Sequence, residues 1–172
     1  KQWKKKTWGQ DWWDGDTYLL SIGQGNLLAT PLQVTAAFVP IANGGTLYQP
    51  RMVKEIMEAG EDPIKVSSVV VRDDFMRPED LKVVREGMKQ AVDSGSSVML
   101  NQLPVEAAAK TGTAQTGKKD AEGKDYLYSW VTVFAPYDNP EIVLTILVED
   151  VKEGSIAVLP EAKKVLEWYF SR

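Results

Sequence analysis

The chain has 172 residues, 44% of them apolar and 26% charged, with 20 basic against 24 acidic side chains for a net charge of -4. That length and composition suit one globular domain with a buried core rather than two full domains, and the acidic balance argues against a non-specific nucleic-acid binder. There is no cysteine and no histidine, which excludes cysteine zinc sites, iron–sulfur clusters, disulfides, a Cys–His protease and a Ser–His–Asp triad, and leaves acid–base chemistry to Lys, Asp, Glu or Tyr.

No apolar run reaches the roughly 18–20 residues of a membrane span. The opening KQWKKK has neither an initiator Met nor the apolar core of a signal peptide, so the sequence reads as the downstream piece of something longer. Residues 1–18 carry Trp3, Trp8, Trp12 and Trp13 among mixed charges, punctuated by Gly9 and Gly15. They read as an irregular lead-in whose rings pack on a surface. Gly23-Gln24-Gly25 follows in a loop with no strand–helix phosphate context, so a nucleotide reading is weak.

Thr30 and Pro31 supply an N-cap hydroxyl and a first-turn proline. They start a helix that runs to about Asn43, where Gly44-Gly45 stops it. This helix is apolar almost all round, which predicts burial on most sides, and Pro40 should kink its last turn. Residues 47–71 read as short extended pieces, with Ile64 to Val71 a strand. Pro78 to Val92 is a second helix, with Leu81, Val84, Met88 and Ala91 as its apolar stripe and Glu79 and Asp80 at its positive end. Asp93 to Ser97 reads as a flexible stop. Ala107 to Gln115 is a strand, Gly117 to Asp125 a charged loop, and Ser129 to Ala135 a strand. Pro136 to Glu141 is a tight connection. Ile142 to Val148 is a strand apolar at nearly every position, so both its faces should be covered, and it forms an antiparallel hairpin with its predecessor. Pro160 opens a last helix with the stripe Ala162, Val165, Leu166 and Tyr169. The fold class is α+β, an antiparallel sheet of about three strands packed with helices.

One motif carries chemistry. In Lys110-Thr111-Gly112-Thr113-Ala114-Gln115, a lysine and two hydroxyls are suitable donors to a carboxylate, and a glycine lets a ligand backbone approach. Strand alternation puts Lys110 and Gly112 on one face and Thr111 and Thr113 on the other. The bland reading is a strand with an ordinary exposed lysine and a glycine bulge. A P-loop is excluded, because no Gly-x-x-x-x-Gly precedes the lysine. Lys118-Lys119 reads as a solvated turn rather than a ligand contact, Asp138 and Asn139 as hairpin formers, and no carboxylate spacing demands a metal.

Taken in order, GDT (15–17), GQG (23–25), TPLQ (30–33), IANGG (41–45), KTGTAQ (110–115) and FAPYDNP (134–140) resemble the C-terminal part of a class B penicillin-binding protein. The likeness is strongest to the penicillin-binding protein 2 type of peptidoglycan D,D-transpeptidase, whose fold is of the serine transpeptidase/β-lactamase kind. It runs from about Gly15 to the final helix. Of the three sequence signatures of penicillin-recognising serine enzymes, only Lys-Thr-Gly is present: no serine has Lys three positions on, and no Ser-x-Asn occurs. The resemblance therefore implies a lobe of the transpeptidase domain that supplies the Lys-Thr-Gly strand, lacks the nucleophile and is inactive alone.

The resemblance also implies roles. Lys110 would organise charge near the serine and the substrate carboxylate, and Thr111 and Thr113 would contact that carboxylate. The Thr113 N–H would be half of an oxyanion hole, Gly112 would keep the cleft open, and Gln115 would face substrate. The donor stem peptide would lie along this strand by β-augmentation. Implied partners are peptidoglycan stem peptides, β-lactams, the upstream half of the same domain and a membrane glycosyltransferase. No cofactor, metal or nucleic acid is implied. The place would be the periplasmic or extracellular face of the inner membrane, with an anchor upstream. The C-terminal strand would lose its family partner strand and self-associate through an uncovered edge. Two other classes remain: a non-catalytic peptide- or partner-binding module, and a β-lactamase or β-lactam sensor, against which GQG and TPLQ argue.

Overall fold

A computed structural model describes residues 1–74, 76–152, 154 and 156–172. The lead-in is not irregular: it holds two short helices, α1 (Gln2–Trp8) and α2 (Asp14–Ser21). One ion pair explains them. Lys4, only 5% exposed, reaches the Asp16 carboxylate at 2.7 Å, and the same carboxylate accepts the Trp13 N–H at 2.8 Å, closing the start of α2. Helices this short do not persist on propensity alone, and the Lys4–Asp16 contact is what docks one on the other. The pair also holds the Asp16 carboxyl below its ordinary range, the Lys4 hydrogen bond being the main cause.

α3 (Pro31–Asn43) begins and ends where expected. Thr30 Oγ1 accepts the Gln33 N–H at 3.2 Å and Gln33 Oε1 accepts the Thr30 N–H at 2.9 Å, a reciprocal capping box. Gly44, at φ 91°, ends it. The expected burial on most sides is not found. Only Pro40 and Ala42 are buried, and Leu32 is 61% exposed, because nothing among the described residues covers the N-terminal half.

Four short strands follow: β1 (Leu47–Tyr48), β2 (Glu55–Ile56), β3 (Ile64–Lys65) and β4 (Val70–Arg72). β1 pairs with β4 and β2 with β3, both antiparallel. The single strand expected over Ile64–Val71 is therefore two strands with different partners. α4 (Pro78–Asp93) buries Leu81, Met88 and Val92. The segment after it is an ordered turn, not a flexible stop: Ser97 donates its N–H to the Ala91 carbonyl at 2.8 Å, and a 3-10 turn over Val98–Gln102 buries Leu100 fully.

The main sheet has the order β5-β6-β7, from β5 (Ala108–Lys119), β6 (Asp125–Ala135) and β7 (Ile142–Val151). Register runs through Ala108↔Phe134, Lys110↔Thr132 and Gly112↔Trp130 on one side of β6 and Phe134↔Val143 on the other. The first hairpin is longer than expected, since Lys119 pairs with Asp125 and Asp120 closes the tip by accepting the Glu122 and Lys124 N–H groups. β7 is an outer strand and its residues 142–148 are half-buried rather than covered.

Period-2 alternation gives the sheet two apolar faces. Ala109, Val131, Val133 and Ala135 pack with Leu100, Leu103 and α5 (Leu159–Phe170) through Leu159, Ala162 and Leu166. Val165, expected in the α5 stripe, is 39% exposed; the partly buried Phe170 extends the contact with the sheet instead. On the other face Ala108 and Phe134 pack with Ala42 of α3 and Met88 of α4, with Phe38, Ile41, Val84 and Val143 around them. Arg85 ties this side together. Its guanidinium donates to the Ile41 and Ala42 carbonyls at 2.9 and 2.5 Å and to the Tyr137 carbonyl, and it lies over the Phe134 and Tyr137 rings.

Candidate active site at the free edge of the sheet

β5 is an outer strand, and its open side carries the Lys-Thr-Gly motif. The register confirms the alternation. Lys110, Gly112 and Ala114 share a face with Thr132, Trp130 and Tyr128 of β6. Thr111 and Thr113 point to the opposite face, where Thr111 Oγ1 lies 3.2 Å from Ser96 Oγ and Thr113 Oγ1 lies beside Gly154. Alternation does not scatter these groups. An edge strand has no neighbour on one side, so side chains on both its faces, and its outward backbone groups, border the same space.

That space is a cavity of about 460 Å³ between β5, the Gly23–Gly25 loop and the N-terminal half of α3. Lys110, Thr111, Gly112, Thr113 and Gln115 all line it, as do Val34 and Phe38 of α3. Every site residue expected from the sequence is therefore brought together. Lys110 is the one charged side chain among the described lining residues. A cavity of neutral and apolar walls with a single ammonium group suits an anionic ligand such as a carboxylate. A Cβ built on Gly112 would meet only Trp130 Cβ, at 3.4 Å. Packing tolerates a methyl group there, and Gly112 leaves open cavity space into which a larger side chain would project.

Backbone direction matters as much as side chains. The Thr111 carbonyl accepts the Lys110 ammonium at 2.5 Å, and the Thr113 carbonyl accepts the Gln24 side-chain amide at 3.1 Å. Both carbonyls thus point away from β6. In an antiparallel strand the N–H of a residue points the same way as its C=O, so the Thr113 N–H also faces the cavity. A fixed backbone N–H beside an ammonium group is the donor set that stabilises a developing oxyanion next to a bound carboxylate.

Sequence reasoning missed Gln24, Ser96 and Gly154. The last two sit in segments without periodicity, and Gln24 touches β5 across 89 positions of chain; only its place in the ordered GQG motif marked it. The Lys118-Lys119 segment is strand end rather than turn. Lys118 pairs with Asp150 at 2.9 Å, a hydrogen bond that raises its pKa, and Lys119 pairs with Asp125 at 3.6 Å.

Residues 2–167 match the penicillin binding protein transpeptidase domain family. Across 188 aligned residues the chain is 30% identical to the peptidoglycan D,D-transpeptidase MrdA of Haemophilus influenzae, covering 100% of this chain and 28% of that protein. Among solved structures it is similar to PBP2 of Helicobacter pylori in its complex with MreC, with TM-score 0.77 and 30% identity over 99% of this chain and 30% of that one. It is also similar to PBP2 of Pseudomonas aeruginosa in complex with WCK 5153, with TM-score 0.76 and 29% identity over 98% and 35% of the two chains. The chain thus spans about a third or less of the length of these relatives.

Proposed function

The chain belongs to the penicillin-binding protein transpeptidase domain family, and on that premise we propose that it supplies the Lys-Thr-Gly edge of a peptidoglycan D,D-transpeptidase site working through a serine acyl-enzyme. The observation that carries this reading is Lys110, the one charged side chain among the described lining residues of the cavity, beside the outward-facing Thr113 backbone. The donor stem peptide lies along the free edge of β5, its terminal carboxylate on Lys110 with the Thr111 and Thr113 hydroxyls. Gln115 continues that edge.

A serine outside residues 1–172 attacks the carbonyl carbon of the scissile bond. The C–O bond forms, the Thr113 N–H takes half the oxyanion charge, the C–N bond breaks, and the leaving amine takes a proton. Lys110, as the family resemblance implies, organises protons and charge on this side of the cleft. An acceptor amine then displaces the serine. β-Lactams enter as substrate mimics whose opened ring stays attached. Residues 1–172 alone are inactive. In this reading the protein works at the outer face of the bacterial inner membrane, held by a segment elsewhere in it. No helix among the described residues is long and apolar enough to cross a membrane.

Intact mass after incubation with benzylpenicillin tests the reading. The full-length protein should gain the whole ligand mass, and residues 1–172 should gain nothing. Lys110→Ala in the full-length protein should slow acylation by about 10²-fold or more, the scale of losing one charge-stabilising contact. An adduct on the short chain, or none on the full-length protein, overturns it. In the second case a non-catalytic peptide-binding module takes its place.

A further inference from the structure

Gln24 is not part of the Lys-Thr-Gly strand, yet its side chain reaches an outward carbonyl at the centre of that strand's free edge. Its Nε2 donates to the Thr113 carbonyl at 3.1 Å. Two positions along, the Thr111 carbonyl is taken by Lys110. Both outward carbonyls at the centre of this free edge are therefore capped by the protein's own side chains. An extended ligand that adds to the edge does so by offering its N–H groups to such carbonyls. Ligand and cap compete for one acceptor.

The loop is built to present this side chain. The Gln24 N–H is bonded to the Leu19 carbonyl at 2.9 Å and the Gly23 N–H to the Leu20 carbonyl at 3.1 Å, so the backbone is tied to the end of α2. Gly23 and Gly25 flank it, both at φ 72°. A Cβ on Gly25 would approach Leu19 Cβ to 3.1 Å, so the loop turns tightly against the helix at a place few side chains fit. With the backbone fixed, the cap is the half-buried Gln24 side chain alone, and rotation about its side-chain bonds releases it.

We propose that Gln24 is a specificity-determining gate on the β5 edge: its amide holds the Thr113 carbonyl in the free protein and is displaced by ligands that carry an N–H for that carbonyl. This rests on the transpeptidase reading above and deepens it. Displacing the cap reduces apparent affinity in proportion to the fraction of molecules that are uncapped. A ligand without that N–H leaves the cap in place and escapes the penalty. Gln24 is thus a positioning residue and does no chemistry itself.

The test uses the full-length protein, its Gln24→Ala and Gln24→Asn variants, and two β-lactams. Benzylpenicillin carries an acylamino N–H, and imipenem carries a hydroxyethyl group in its place. Rapid-quench acylation followed by intact mass separates the binding constant from the acylation rate constant. Asn keeps the amide but is one methylene short of the 3.1 Å contact, so it loses the cap with little other change. For benzylpenicillin, both variants should bind about 2- to 10-fold more tightly, the scale of one net hydrogen bond, with the gain in the binding constant rather than the rate constant. Imipenem binding should not move. Thermal midpoints of the variants check that folding is intact, and a variant that fails to fold leaves the other to decide. An unchanged or weaker benzylpenicillin constant overturns the gate and leaves the transpeptidase reading standing, as does an equal gain for both ligands. A wild-type protein that neither ligand acylates overturns both.

Discussion

Removing the Arg85 guanidinium should cost a large share of the protein's stability. The side chain is half-buried and donates to three main-chain carbonyls, those of Ile41, Ala42 and Tyr137. Two of these belong to the last turn of α3, where carbonyls lack helical partners. Hydrogen bonds from a charged donor contribute about 1.5–3 kcal/mol each. Partial access to water and the sharing of one donor group keep the sum below simple addition, at about 3–4 kcal/mol. Contact with the Phe134 and Tyr137 rings, at 4.8 and 5.1 Å, adds about 0.5–1 kcal/mol. Arg85→Met keeps the apolar stem and loses all of this, so about 4 kcal/mol is expected, a large share of a typical 5–15 kcal/mol. In urea that moves the midpoint by about 2 M at a slope of about 2 kcal/mol/M. The six tryptophans provide the fluorescence signal. Arg85→Lys, with one point charge for three acceptors, should lie about midway. A midpoint within 0.5 M of wild type for Arg85→Met, at an unchanged slope, would refute the reasoning; so would a Lys variant as stable as the parent. Since α3 also walls the cavity through Val34 and Phe38, acylation of the full-length protein should weaken along with stability.

Two further expectations follow from the site and the lead-in. Gly112→Val should fold, because a Cβ there meets only Trp130, but its branches enter the cavity and acylation by benzylpenicillin should fall by about 10²-fold; an intact-mass time course at normal speed would contradict the role given to the glycine. Asp16 has its pKa depressed by Lys4, so its contribution is complete above the unfolded carboxylate pKa and is lost as pH falls through the lower, folded value. Acid titration of Trp fluorescence should therefore show α1 and α2 loosening below about pH 4, and Lys4→Met should loosen them already at pH 7 and flatten that acid step.

What was legible in the sequence depended on whether its cause was local. α3 was legible at both ends because Thr30, Pro31, Gln33 and Gly44 act within one turn of where they stand. The Lys-Thr-Gly strand was legible by composition and by its place in an ordered set of motifs. α1 and α2 were not, since their stability rests on a contact between Lys4 and Asp16, twelve positions apart, and local composition reads there as glycine-broken coil. Ile64 to Val71 has strand propensity throughout, but propensity does not say that Ile64 will pair with Ile56 and Val70 with Tyr48. The hairpin outran its expected ends because Lys119 and Asp125 continue the ladder across a register shift. The all-round apolar pattern of α3 predicts chemistry but not burial. Leu32 of α3 is 61% exposed and Leu28 just before the helix 86%, so the pattern marks surface that the described residues do not cover.

The face assignment of the motif shows why a correct local rule can suggest the wrong consequence. Alternation separates Lys110 from Thr111 and Thr113, and the separation shows in burial, with Thr111 only 6% exposed beside Ser96 while Lys110 and Thr113 are exposed. At an edge all three nonetheless line one cavity, because the third direction, along the missing ladder, is common to both faces. The same missing ladder makes β5 a hazard as well as a platform, since unpaired strand edges recruit other chains. Lys110 and Gln24 reduce that hazard by capping the Thr111 and Thr113 carbonyls, and neither cap is backbone, so each is released by side-chain rotation alone. An edge held by side chains stays exchangeable for a ligand strand, whereas one held by a fourth β-strand would not. On the transpeptidase reading proposed above, Lys110 selects what exchanges: a peptide end bearing a carboxylate draws its ammonium off the Thr111 carbonyl, and a neutral strand has no charge with which to do so.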